Sequence, residues 1–187
     1  MRTAIASLES ISPYSPSRAH ETEKLNRESH DAYEIRTWRE KCHYDDAGNI
    51  FIPPMAFKQS LDTAAKMLGI QMPGKGKTTY TKFFAAGVLC MDPVVLPDKK
   101  DSVPPERIHA HANGRPGSGT RVWRTFPRVP KWSSDVTFHV FADEITPDVF
   151  EQCLVQAGSF VGIGRFRPEN RGYFGRFKVN SVKWANC

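Results

Sequence analysis

Two stretches concentrate the residue types that bind a charged ligand. The first, GIGRFRPENRGYFGRF over 162–177, holds four glycines and four arginines in sixteen residues. Glycine lets main-chain N–H groups approach an oxygen with no side chain in the way. Arginine adds a permanent charge and a planar fork of donors that matches phosphate. With Lys178 included, Arg165, Arg167, Arg171 and Arg176 face a single acid, Glu169. A tight, merely solubilised turn would explain Gly162 and Gly164 but not that imbalance. The second stretch runs from Arg107 to Ser134. It has no acidic residue and six basic ones: Arg107, Arg115, Arg121, Arg124, Arg128 and Lys131. Both patterns fit contacts along a phosphate backbone, with Phe166, Tyr173 and Phe174 available for stacking.

Nucleotide-binding fingerprints fit poorly. GIG at 162–164 starts a dinucleotide motif, but Arg167 stands where the third glycine belongs, and the loop is expected to follow a helix rather than a strand. MPGKGKTTYTKF contains Gly76, Lys77 and Thr78, but position 71 is Gln71 where a phosphate loop needs glycine. That stretch reads as a flexible basic loop. Acid–base or metal chemistry has thin material: His20, His30 and His43, with Asp31, Asp45 and Asp46, all in one polar segment. His109 and His111 form HAH, a two-ligand edge with no third ligand nearby. No Ser-His-Asp arrangement is recognisable, and Cys42, Cys90, Cys153 and Cys187 lack zinc or redox spacing. The catalytic residues are therefore unknown, and neither a metal nor a cofactor is expected.

The elements that must position these residues can be traced in order. TAIASLESI, 3–11, alternates as a half-buried strand does. A polar stretch to about 49 includes a short helix, and IFIPP is extended because proline biases its predecessor away from helix. MAFKQSLDTAAKML, 55–68, puts Phe57, Leu61, Ala64, Ala65 and Leu68 on one helical face, with Gly69 as its stop. FAAGVLCMDPVVL, 84–96, reads as a buried strand broken at Asp92-Pro93. The Pro-, Gly- and Arg-rich segment 97–133 suggests a protruding hairpin with TRVWRTFPRV as its return limb. DVTFHVF, 135–141, alternates cleanly, with His139 on the solvent side. In EITPDVFEQCLVQAG, Thr146 caps a helix, Pro147 occupies its first position and Ile145 staples against Phe150. GYFGRFKVNSVKW is the final strand.

Strand, helix, strand, strand, helix, strand is the α+β, ferredoxin-like (RRM-like) order: a four-stranded antiparallel sheet with two helices. Here it carries two large insertions, at about 12–52 and 97–133, within one domain. The chain has 187 residues, net charge +6 and pI about 9.2, which favours polyanionic partners. No apolar run approaches a membrane helix and no secretory signal is seen, so the cytoplasm is the expected compartment.

The glycine loop resembles the C-terminal signature of the RAMP superfamily, the ferredoxin-like RNA-binding proteins of CRISPR systems. That signature is a Gly-x-Gly followed by a Gly-aromatic-Gly-like element, here GIG and GYFGRF. FIPPMAFKQSL, 51–61, is similar to the Ile-Pro-Gly-Ser-Ser-Leu-Lys-Gly segment that opens the first helix of the subunits coating guide RNA. Ile52, Pro53, Phe57 and Lys58 fit it; Pro54, Met55, Ala56 and Gln59 depart from it. The resemblance implies binding of single-stranded RNA, guide RNA in particular, through its backbone, with 97–133 as a thumb-like hairpin over the RNA. The residues it singles out are Lys58, Arg115, Arg121, Arg124, Arg128, Gly162, Gly164, Arg165, Arg167, Arg171, Gly172 and Arg176. Partners would be other copies of the chain or subunits of a CRISPR complex; a stand-alone relative that competes with such a complex would need the same surfaces. The alternatives are an endoribonuclease of the same fold, and an assembly protein in which the acidic segment 21–46 of one copy meets the basic region of another. The RNA recognition motif shares the strand order but needs exposed aromatics on its first and third strands, and TAIASLESI has none.

Overall fold

A computed structural model describes residues 1–112, 117 and 119–186. The chain forms β1 (Arg2–Ser10), α1 (His30–Thr37) running into a 3-10 turn (Trp38–Lys41), β2 (Asn49–Ile52), α2 (Pro54–Leu68), α3 (Thr81–Gly87) and β3 (Val88–Leu89). There follow β4 (Val94–Lys99), β5 (Pro105–His111), β6 (Arg121–Pro127), β7 (Ser133–Val140), α4 (Pro147–Gln156), a π turn (Ala157–Val161), a 3-10 turn (Pro168–Asn170) and β8 (Phe177–Asn186). The fold is α+β with antiparallel sheets.

The main sheet has the order β3-β7-β1-β8, every neighbour antiparallel. β1 is central, and its alternation follows from burial on one side: Ala4, Ala6 and Leu8 are buried beside Val136, Phe138 and Val140 of β7. The small alanines leave room for the helices. α4 lays Phe150 against Phe138 and Trp184, and α2 lays Phe57 against Phe177, so both helices cover one face of the sheet. Each fully buried Phe or Leu contributes roughly 1.5–3 kcal/mol. Gly69 ends α2 in the left-handed conformation, and Thr146 caps α4 by accepting a hydrogen bond from the Val149 N–H.

One expected strand is different. Residues 84–96 do not form a continuous strand. Thr81–Gly87 is helix, β3 keeps two residues of sheet pairing, and Val94–Lys99 pairs with β2 in a separate two-stranded sheet. Phe84 thereby meets Phe150 from a helix, with ring centroids 6.3 Å apart. The 97–133 hairpin is formed by β5 and β6, paired in register from Pro105↔Pro127 to His111↔Arg121. The start of the first insertion is stitched to the end of the second, since Tyr14 and Val129 exchange backbone hydrogen bonds of 2.9 and 2.8 Å. The last strand begins later than expected: residues 172–176 belong to the glycine loop. No helix among the described residues is long and apolar enough to cross a membrane.

Candidate nucleic-acid interface

The glycine loop leaves α4 through the π turn. Gly162 follows with φ 73°, Gly164 with φ 74° and Gly175 with φ 74°, the left-handed region where glycine carries no penalty. These glycines pack protein on protein. A Cβ on Gly164 would lie 2.5 Å from the Ser15 carbonyl oxygen, and one on Gly172 would run into the Phe166 carbonyl. Several loop amides are likewise spent internally. Arg165 N–H donates to Ser15, Ile163 N–H to Gly175, Gly175 N–H to Pro13 and Phe174 N–H to Phe166. Gly172 is thus a packing glycine, and the strap 13–15 is what the loop is folded against.

Gly162–Gly164 nevertheless faces an open site. They line a cavity of about 150 Å³ together with Pro53, Met55 and Gln59 at the start of α2, and with His43 and Arg167. α2 is 15 residues long and its N-cap, Pro53, offers no side-chain cap. The first turn of α2 lies at the cavity wall; Pro54 has no N–H and the Ala56 N–H donates to Pro53 O at 2.9 Å, so the positive end of the helix dipole is what this wall offers an anion. Arg167 adds charge, steadied by Glu169 at 2.8 Å. His43 is half-buried; burial, with Arg18 adding to it, lowers its pKa and favours the neutral imidazole.

Beside this cavity lies a buried charge cluster that the sequence did not announce. Glu34 of α1 accepts hydrogen bonds from Lys41 Nζ at 2.7 Å, Arg124 Nη1 at 2.6 Å and the Thr125 N–H at 3.2 Å. Burial alone would raise its carboxyl, but those donors outweigh it and hold the pKa below the usual carboxylate range. Arg165 sits 4.4 Å from the Phe126 ring centroid, and Lys41 lies 4.5 Å from the same centroid. Burial lowers the pKa of both cations, with Glu34 opposing and Arg124 adding to the effect. The guanidinium stays charged regardless. One carboxylate thus faces three cations in a site largely closed to water. Phe166, at φ 53°, is a strained non-glycine residue at the tip of the loop, its ring edge-on to Phe126 at 5.2 Å.

The predicted residues separate by environment. Gly162, Gly164 and Arg167 come together at the cavity, with Arg165 one step away. Arg165, singled out as a phosphate contact, is packed on Phe126. Arg171 is exposed, in left-handed conformation at φ 63°. Arg121 is exposed on the hairpin, Arg124 is committed to Glu34, and Arg128 lies 3.5 Å from Glu106. Lys58 is not a surface cation: it is buried, paired with Asp62 and hydrogen-bonded to the carbonyls of Phe84 and Ala85, a strut between α2 and α3. Arg176 likewise braces the π turn through Ser159 O at 3.2 Å. Arg115 lies outside the described residues. Among the described residues, no three His, Cys, Asp or Glu side chains gather as a metal set.

No family model matches the chain, and no curated protein does. Solved structures match. A chain of the Type III-B Cmr-beta complex bound to cognate target RNA, solved by cryo-electron microscopy, aligns over 98% of this chain with TM-score 0.51 at 13% identity. The present chain spans 61% of that chain's length. Cmr6 from Pyrococcus furiosus aligns over 96% of this chain and 99% of its own, with TM-score 0.47 at 14% identity. The Cmr-beta likeness is one of fold.

Proposed function

We propose that this chain is a RAMP-type protein of ferredoxin-like fold that binds single-stranded RNA, guide RNA in particular, by its phosphate backbone. The binding line runs through the cavity between α2 and the glycine loop and past Arg165 toward the hairpin. One observation carries the reading. Two stretches that each resemble a RAMP signature, a hundred residues apart in sequence, line the same cavity, with the start of α2 and the Arg167–Glu169 pair in its wall. The order β3-β7-β1-β8, with α2 the longest of the three helices between β1 and β3 and α4 between β7 and β8, supports the ferredoxin-like assignment, a single domain with two insertions. The Cmr-beta complex, whose chain shares this fold, is bound to cognate target RNA, which is consistent with such a ligand and with partners in a CRISPR complex.

The test is anisotropy of labelled RNA titrated with protein over a salt series. For single strands, log affinity falls with log salt by about 0.7 per phosphate neutralised, so three or four contacts give a slope of roughly −2 to −3. Arg167→Ala is expected to flatten the slope by about 0.7 and to weaken unrelated RNAs alike. Absence of binding at low salt overturns the proposal. His43, kept neutral at the cavity wall, favours a second reading in which the chain cleaves RNA with His43 as general base. RNA recovered intact from the same titration ends that reading; cleavage abolished by His43→Ala supports it.

A further inference from the structure

In the β5–β6 ribbon, His109 pairs with Trp123, Arg107 with Thr125 and His111 with Arg121. Residues directly opposite one another point to the same side, so all six share one face. The other face turns Arg124 and Phe126 inward onto Glu34, Lys41 and Arg165. The open part of the outward face carries two arginines, two histidines and a tryptophan, with Pro105 at its edge; Thr125, on the same side, is buried, and the carboxylate that meets this face is Asp31 of α1. Trp123 is 46% exposed. The Arg107 guanidinium lies 4.9 Å from its ring centroid, and the His109 ring centroid lies 5.0 Å away at an interplanar angle of 32°. Arg107 is held in place by an ion pair with Asp31 at 2.9 Å. A ribbon face that merely had to be wetted would tuck in its largest aromatic. A protein-docking face would offer Leu, Ile or Met. This face offers a π surface among cations.

We propose that it is a nucleobase-stacking platform. Trp123 receives a base of single-stranded RNA, His109 extends the aromatic surface, and Arg107 and Arg121 meet the flanking phosphates. This rests on the RNA-binding reading and adds a second mode to it: the cavity holds phosphate, the hairpin holds a base. Stacking on an aromatic ring tolerates any base, because every base has a π face, and cations near the ring reinforce it.

The experiment compares two oligomers with the full chain, a uridine 20-mer and an abasic 20-mer with the same phosphates, at one salt concentration and then over a salt series. Wild-type protein is expected to prefer the uridine oligomer by about fivefold or more. Trp123→Ala should remove that preference, leaving abasic affinity and both salt slopes unchanged, and Trp123→Phe should restore most of it. Equal affinity of wild-type protein for the two oligomers overturns the platform whether or not Trp123→Ala folds. So does a Trp123→Ala protein that keeps the preference, or one that loses both oligomers equally, which would mark a structural tryptophan. If wild-type protein binds neither oligomer at low salt, the RNA-binding reading falls and the platform with it.

Discussion

A methyl group on Gly175 would stand 1.8 Å from the carbonyl oxygen of Ile163, at a backbone φ of 74°. Neither the clash nor the left-handed backbone can relax cheaply, because the neighbouring atom is itself main chain. Gly175→Ala is expected to cost about 2–4 kcal/mol, a fall in Tm on the order of 10 °C. Gly74, at φ 73° but with open space around its Cβ position, is the control: Gly74→Ala carries the backbone penalty alone, about 1 kcal/mol. Thermal melts of the two variants separate close packing from conformation. The glycines are visible in the sequence as a loop signal, but their partners are not. Nothing in GIGRFRPENRGYFGRF says that Pro13, Tyr14 and Ser15 lie beneath it, because those residues come from the far end of the chain. The same limit hides the role of Lys58. Its spacing to Asp62 marks a helical ion pair, while its burial depends on α3 arriving above it.

At the scale of elements, the Glu34 cluster fastens the hairpin to the first insertion. Glu34 is 2% exposed and holds Lys41 and Arg124, with Arg165 close by. Glu34→Gln leaves these cations without their carboxylate and is expected to cost about 3 kcal/mol at neutral pH. The folded-state pKa of Glu34 is depressed, so its contribution is fully present above the unfolded value, about 4.3, and is lost as pH falls through the folded value. The Tm gap between wild type and Glu34→Gln should therefore hold from pH 7 to about 5 and narrow below about 4. A gap that stays constant into acid would contradict this assignment. α2, α4, β7 and the hairpin are legible in the sequence because each has its own period and its own punctuation. Residues 84–96 are not: a short apolar run suits a buried strand and a buried helix equally, and the start of this one, up to Gly87, is helix, with Phe84 packed on Phe150, before two short strands follow. The cavity itself is legible in outline, since both of its walls carry motifs.

At the scale of the molecule, the acidic and basic segments meet within one chain. Asp31 pairs with Arg107 and Glu34 with Arg124. An assembly that linked the acidic segment of one copy to the basic region of the next would have to break these contacts first. Sedimentation without RNA is therefore expected to give the same mass at about 50 mM and 500 mM salt, where screening changes several-fold; a mass that rises at low salt without RNA would revive the assembly alternative. A different consequence follows from the place of β1 at the centre of the sheet, between β7 and β8. A ribosome delivers β1 before either neighbour. At about 5–20 residues per second, the strand waits on the order of ten seconds with both edges bare. Its inward side chains are two alanines and one leucine, and Thr3, Ile5, Ser7 and Glu9 alternate with them, so neither face is a continuous apolar stripe of large side chains. A strand that must wait that long for its partners gains from being a poor template for anyone else's.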